Sequence, residues 1–149
     1  MSWTMSFEYQ AQHDIVHASF HRCLLVSPED VCRWKAEVEE QLAAFGRRVD
    51  LVMDLDGLEV TFTAGRPFGQ ARREVLERFT QRAQCYGGEE TTRRFLATHG
   101  GLHGRPLAHL ETFDAALEAM RAEREASRQR SFAPFSGGGR FDGARATGS

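Results

Sequence analysis

The chain opens with alternating apolar and polar residues and then changes to a helical period. Residues 7–20, FEYQAQHDIVHASF, alternate in the manner of two short strands joined by a turn. Over residues 28–45 apolar side chains recur every three or four positions, and Ser27 followed by Pro28 is typical of a helix start. Gly46 supplies the residue type that commonly ends a helix. This part of the sequence predicts a β-hairpin followed by an amphipathic helix.

A nearly continuous apolar run, VDLVMDL at residues 49–55, predicts a central strand that is covered on both faces. After it, helix and strand patterns alternate to the end of the periodic region. They predict a helix over 67–80, a strand over 81–86, a helix over 89–99, a strand over 105–110 and a last helix capped by Thr112. The alternation predicts an α/β fold with a mixed, mostly parallel sheet of about five strands and about four helices.

The periodic pattern fades towards the C-terminus. Glycine, serine and alanine dominate the last residues, and three consecutive glycines interrupt them. A chain of 149 residues is long enough for one ordinary domain. We therefore expect one α/β domain over residues 1–126, followed by a flexible tail over 127–149.

Charge and cysteine content narrow the class of protein. The formal net charge is −2 and no segment concentrates basic residues, so a nucleic acid is not an expected partner. The first residues hold no basic segment followed by an apolar core, and no apolar run approaches the roughly 18 residues of a membrane span. Three cysteines without CxxC spacing indicate reduced thiols rather than a disulfide framework or a zinc site. We expect a cytoplasmic protein without a membrane span.

Motifs that would indicate an enzyme or a cofactor are weak. His99 and His103 have the spacing of two zinc ligands on a helix, but Gly100 and Gly101 between them disfavour a helix. A metal-dependent hydrolase therefore stays only as an alternative to a protein without catalytic activity. The glycine pair at residues 87–88 lacks the further residues of a phosphate-binding loop and predicts a turn. We expect no catalytic residue, no metal and no cofactor.

The most specific pattern lies at residues 51–65, LVMDLDGLEVTFTAG, which join the central strand to the next helix. Together with the order of elements over 7–125, this stretch resembles the STAS domain, named for sulfate transporters and anti-sigma-factor antagonists. In that family apolar residues, an Asp and a Gly turn are followed by Asp-Ser-x-Gly at the head of the next helix. Here VMDLDGL at 52–58 fits the first part, and FTAG at 62–65 stands in the place of the second. The resemblance implies a STAS-like fold.

The resemblance also implies a regulatory function. In that family a kinase of the anti-sigma class phosphorylates the hydroxyl of this turn, and the added charge decides which protein the domain binds. Thr63 is the residue to which the phosphoacceptor role can be transferred, and Arg66 adds a positive charge beside it. Phe62 replaces the family's acidic residue, and Pro67 predicts that the helix begins only near that proline, with Thr63 in a loop. The alternative role for Thr63 is a turn hydroxyl bonded to local backbone.

The expected function is thus a non-enzymatic protein–protein interaction module in bacterial signalling, for which an anti-sigma-type kinase is one candidate partner. We expect the partner to bind at Gly57, Phe62, Thr63, Arg66 and Gln70. The oligomeric state is left open, and a dimer is one of the states considered.

Two further interpretations stay open at this point. The alternative function is a small-molecule or lipid-binding α/β domain in which Phe62, Phe68 and Phe79 line a cavity, although the same residues can pack in a core. The polar residues of the helix over 67–80 are predicted to face outward, where they form either a partner surface or a solvated face. They are Gln70, Arg72, Arg73, Glu74, Glu77 and Arg78.

Overall fold

The structure is a computed structural model that describes residues 3–99 and 110–132. The strands are β1 (Thr4–Gln10), β2 (Ile15–His21), β3 (Cys23–Leu25), β4 (Val49–Asp54), β5 (Leu58–Val60) and β6 (Thr80–Tyr86). The helices are α1 (Pro28–Ala43), α2 (Phe62–Phe79), α3 (Glu90–His99) and α4 (Phe113–Phe132).

The main sheet has the strand order β1-β2-β4-β6. β1 is antiparallel to β2, whereas β2, β4 and β6 run parallel to one another. β3 and β5 pair in parallel as a separate small sheet. The predicted α/β class with a mixed, mostly parallel sheet is confirmed, and so is the hairpin, whose turn holds Asp14 at a φ of 52°. The strand predicted over 105–110 lies outside the described residues except for Leu110, which is not in a strand.

Helices cover both faces of the main sheet, with α1 and α2 on one face and α4 on the other. β2, β4 and β6 are neighbours in chain order, and right-handed crossovers then place α1 and α2 on the same face. The core on that face holds Trp34 of α1 and Phe68 of α2, together with Leu51 and Met53 of β4. On the opposite face Val52 of β4 packs against the buried side of α4. β4 is therefore covered on both faces, as its apolar run predicts.

The first helix is capped where the sequence predicts. The side chain of Ser27 accepts a hydrogen bond from the backbone N–H of Asp30 at 3.2 Å. Trp34 is fully buried, and its ring centroid lies 6.1 Å from that of Phe20 and 4.9 Å from that of Phe68. Gly46 has a φ of +70°, a conformation that glycine adopts without steric cost, just after α1 ends. The cap and the tryptophan together fix α1 on the sheet.

The second helix begins earlier than predicted. We expected it to begin near Pro67 with Thr63 in a loop, but α2 begins at Phe62 and contains Pro67. Proline lacks the N–H that would bond the carbonyl of Thr63, so the helix loses one backbone hydrogen bond there. The loss falls at an exposed residue in the first turn of the helix. Thr63 consequently lies in the first helical turn.

The polar face predicted for α2 contains one error, which is Arg72. This residue is fully buried, and its guanidinium interacts with the thiol of Cys85 on β6. Its position explains the burial, because Arg72 follows Phe68 by four residues and precedes Val75 by three on the side of α2 that packs on the sheet. The other members of the predicted outward set are exposed, as expected: Gln70, Arg73, Glu74, Glu77 and Arg78.

The last helix extends beyond the predicted domain boundary. Thr112 caps it as expected, because its hydroxyl accepts a hydrogen bond from the N–H of Ala115 at 3.1 Å. α4 then continues to Phe132, so residues 127–132, which we assigned to the flexible tail, are helical. An ion pair between Glu125 and Arg128 supports this last part of the helix. The remainder of the predicted tail lies outside the described residues.

Two glycines with similar backbone conformations allow the steric role of Gly57 to be measured. Gly57 has a φ of +81°, and a Cβ there would lie 2.2 Å from the carbonyl oxygen of Phe20. Gly46 has a φ of +70° with no atom within 4 Å of the corresponding position.

We expect Gly46→Ala to lower the free energy of unfolding by about 1–2 kcal/mol for the backbone alone. Gly57→Ala should cost about 1–3 kcal/mol more because of the contact with Phe20. Urea denaturation measures both, and equal losses would contradict a steric role for Gly57.

The three cysteines should differ in reactivity according to their burial. Cys23 and Cys85 are buried, whereas Cys32 is exposed on α1. Burial raises the pKa of the Cys23 thiol to about 11, and it raises the pKa of Cys85 despite the opposing charge of Arg72.

A higher pKa leaves less thiolate near neutral pH, so only the exposed thiol of Cys32 should react rapidly with a thiol reagent in the folded chain. Unfolding should expose all three, and Cys32→Ser should abolish the rapid reaction. Rapid reaction of that variant would show that the buried cysteines are accessible.

Candidate functional site

Four of the five predicted partner-binding residues form an exposed stripe at the beginning of α2. Phe62, Thr63, Arg66 and Gln70 are all exposed and are spaced so that they lie on one side of the first helical turns. The side chain of Phe62 is 86% exposed, more than any other large hydrophobic residue in the described part of the chain. Its ring lies 6.0 Å from that of Phe95 on α3.

Two further exposed apolar side chains lie on the segment that pairs with β5: Leu24 in β3 and Val26 just after it. Leu25 of β3 pairs with Val60 of β5, so that Val26 and Phe62 follow the same end of the small sheet. Thr61 ties the two segments together, since its N–H donates to the carbonyl of Leu25 at 3.0 Å and its hydroxyl to that of Val26 at 3.4 Å. We call the resulting surface the docking face; its members are Leu24, Val26, Phe62, Thr63, Arg66 and Gln70.

Sequence reasoning missed Leu24 and Val26. Residues 23–26 are an unbroken apolar run, CLLV, which gives no indication of which side chains face outward. The small sheet decides this, because its strand alternation buries Leu25 and leaves Leu24 exposed. Knowledge of the pairing between β3 and β5 was needed to find them.

The beginning of α2 is unusually favourable for a negative charge. Its first turn holds no acidic residue, and no side chain caps it, because the hydroxyl of Thr61 donates to Val26 instead. The N–H groups at a helix start carry a partial positive charge. Arg66 adds a full positive charge one turn after the exposed Thr63. This end of α2 therefore favours an anionic group at Thr63.

Gly57, the fifth predicted residue, does not join the docking face directly. It lies before β5, at the opposite end of that strand from Phe62, and its carbonyl accepts the N–H of Cys23 at 2.9 Å. It borders a pocket of about 410 Å³ beside β3. The lining residues of that pocket are His21, Arg22, Cys23, Leu24, Gly57 and Glu59. Leu24 is thus shared by this pocket and the docking face.

The glycine pair after β6 lies in the irregular connection to α3 rather than in a regular turn. Gly87 and Gly88 have φ values of +69° and +93°. The N–H of Gly88 donates to the carboxylate of Asp56 at 2.8 Å, and the N–H of Asp56 donates to Asp54 at 2.9 Å. Because the Gly88 N–H already donates to Asp56, it is not available to bind an external anion.

An aromatic cluster lies on the α4 face of the sheet, near the end of β6. The hydroxyl of Tyr86 is 2.8 Å from Nε2 of His17, and the ring of Phe113 lies 5.2 Å from that of His17. Burial, and to a smaller extent the carboxylate of Asp54, raises the pKa of Tyr86. The phenol therefore stays neutral over an even wider pH range than an exposed tyrosine and supplies no anionic base near neutral pH.

The remaining candidates of the sequence are separated in space or fall outside the described residues. Phe62, Phe68 and Phe79 do not line a common cavity. Phe68 lies in the core and Phe62 lies on the surface, and none of the three lines the pocket at Gly57. His99 ends α3 and His103 lies outside the described residues. In the described ranges no three His, Cys, Asp or Glu side chains gather in a metal-binding group, and no helix there could cross a membrane.

Comparison of the chain with family models, with curated proteins and with solved structures found no match.

Proposed function

We propose that this protein is a non-enzymatic protein-binding domain whose partner binds the docking face, and that phosphorylation of Thr63 controls the binding. The observation that supports this most directly is the exposure of Phe62, together with that of Leu24 and Val26 on the segment that pairs with β5. Large apolar side chains that cluster on a surface mark sites of protein interaction. Full burial of an exposed phenylalanine side chain contributes about 1.5–3 kcal/mol, and Phe62, at 86% exposed, is the member of the docking face with the most surface left to bury.

The composition of the docking face indicates what the partner offers. Phe62 supplies an aromatic anchor of the kind that is enriched in interfaces. Arg66 can pair with an acidic group of the partner, and the amide of Gln70 can donate hydrogen bonds to the partner backbone and accept them from it. The partner we propose is a signalling protein with an apolar groove next to a carboxylate, and an anti-sigma-type kinase is the candidate from the STAS resemblance.

Phosphorylation of Thr63 would act on the same surface through its charge. A partner kinase transfers the terminal phosphoryl group of a nucleoside triphosphate to the Thr63 hydroxyl, whose proton is lost to a base on the kinase. The phosphate adds about 1.5–2 negative charges beside the helix start and Arg66. It binds Arg66 within the chain and repels the partner's carboxylate. The phosphorylated domain therefore releases a partner that the unphosphorylated domain holds.

Removal of the exposed aromatic ring should weaken partner binding without unfolding the domain. We expect Phe62→Ser to lower affinity for the partner captured from an extract of the host by about tenfold or more, as for an anchor residue worth more than 1.4 kcal/mol. The free energy of unfolding should change by less than about 0.5 kcal/mol because the ring is exposed. Tyr9→Ser removes another exposed aromatic ring, on β1, and should leave capture unchanged. Equal effects of the two substitutions would rule out the docking face.

Phosphorylation can be sought directly in protein purified from its host. Thr61 and Thr63 fall within one tryptic peptide, which extends over residues 49–72 because trypsin does not cleave between Arg66 and Pro67. We expect fragment ions of this peptide to place a phosphoryl group on Thr63. Thr63→Glu should reduce partner capture and stabilise the helix start by about 0.3–1 kcal/mol. Thr63→Val, which keeps the shape without charge, should retain capture. An unmodified peptide together with full capture by Thr63→Glu would exclude the switch.

A further inference from the structure

A pocket of about 290 Å³ lies at the opposite end of α2 from the docking face. It is located where β4 and β6 begin, and α4 and the β1–β2 turn complete it. The lining residues are Asp14, Arg47, Arg48, Asp50, Gln81, Arg82, Arg124 and Arg128. We propose that this arginine pocket binds a small molecule that bears a diphosphate group.

The first reason is an excess of positive charge. Five arginines and two aspartates line the pocket. Glu125 pairs with Arg128 from outside the lining, yet the cluster still carries two more positive than negative charges. The chain as a whole has a net charge of −2, so this excess is local. A concave surface of one charge sign concentrates ligands of the opposite sign.

The second reason is that two of the arginines are held in place. Nη1 of Arg82 lies 2.9 Å from both carboxylate oxygens of Asp50, and Nε of Arg124 lies 2.8 Å from one of them. Asp50 is 9% exposed, and the two arginines are 23% and 22% exposed. Arg124 also donates to the carbonyls of His13 and Asp14. One carboxylate thus orients two guanidiniums. Asp50 can neutralise only one of their two positive charges, and little water reaches the other.

Arg47 and Arg48 provide more accessible charge at the rim. Arg47 is 54% exposed, and its carboxylate neighbour Asp14 is 3.8 Å away, which is too long for a hydrogen bond. Arg48 donates to the carbonyl of Glu77 in the last turn of α2, which fixes its position. A guanidinium has five N–H donors, so both side chains can bind a further acceptor.

These features select the class of ligand. Guanidiniums bind phosphate and carboxylate groups through paired hydrogen bonds. The pocket volume is close to the lower end of the range for small-molecule sites, about 300–1,000 Å³. Several fixed guanidiniums around such a volume fit a diphosphate better than a single carboxylate. The half-exposed ring of Tyr9, 5.7 Å from the Arg47 guanidinium, lies beside the pocket and can contact an organic part of the ligand.

Thermal melting and calorimetry at constant ionic strength test this proposal. We expect pyrophosphate to raise the melting temperature in a saturable manner, with chloride as the ionic control. Arg47→Gln combined with Arg48→Gln should weaken pyrophosphate binding tenfold or more. Arg73→Gln combined with Arg130→Gln removes the same charge from exposed positions outside the pocket and should bind like the wild type. If the double variant at the pocket does not fold, the exposed Arg47→Gln alone should still weaken binding measurably.

The source of the diphosphate is distinguished by comparing ligands. Binding of ADP at least as tight as that of pyrophosphate, with none by adenosine, would identify a nucleotide; binding of pyrophosphate alone would identify the free anion. Both support the proposal. An effect equal to that of chloride, or equal losses in the pocket and control variants, would overturn it. None of these results tests the docking face, because the variants do not alter its residues.

Discussion

The burial of β4 on both faces is the constraint on which the rest of the structure depends. Leu51 and Met53 require cover from α1 and α2, whereas Val52 requires cover from α4. A strand so enclosed can meet solvent only at its two ends. Polar residues of β4 therefore occur at those ends, Asp50 near its beginning and Asp54 at its close. The arginine pocket surrounds the first of these residues, and the loop that leads towards the docking face begins after the second.

The elements that sequence reasoning found are those defined by contacts close in the chain. The alternation of the hairpin and the cap at Ser27 each depend on a few neighbouring residues, and the structure bears them out. The predicted beginning of α2 was wrong because we took Pro67 to mark the start of the helix. A proline costs one backbone bond, and the packing of Gly65 against Phe95 holds the earlier turn in helical form nonetheless.

What was missed depends on contacts between distant parts of the chain. Arg72 looks like a surface residue until the sheet shows that its side of α2 is the buried one. Leu24 and Val26 become surface residues only through the pairing of β3 with β5. The arginines of the pocket come from a loop, a strand and a helix, and no spacing in the sequence links them. Four of the five residues predicted for partner binding do lie together, because they share the first turns of one helix.

The proline inside α2 has a mechanical consequence for Thr63. Because the carbonyl of Thr63 receives no bond from residue 67, the first turn is joined to the rest of the helix by fewer hydrogen bonds than an ordinary turn. It can unwind locally while the remainder of α2 stays folded on the sheet. An enzyme that needs an extended segment in its active site could thus obtain Thr63 by opening one turn, and the core around Phe68 would not be disturbed.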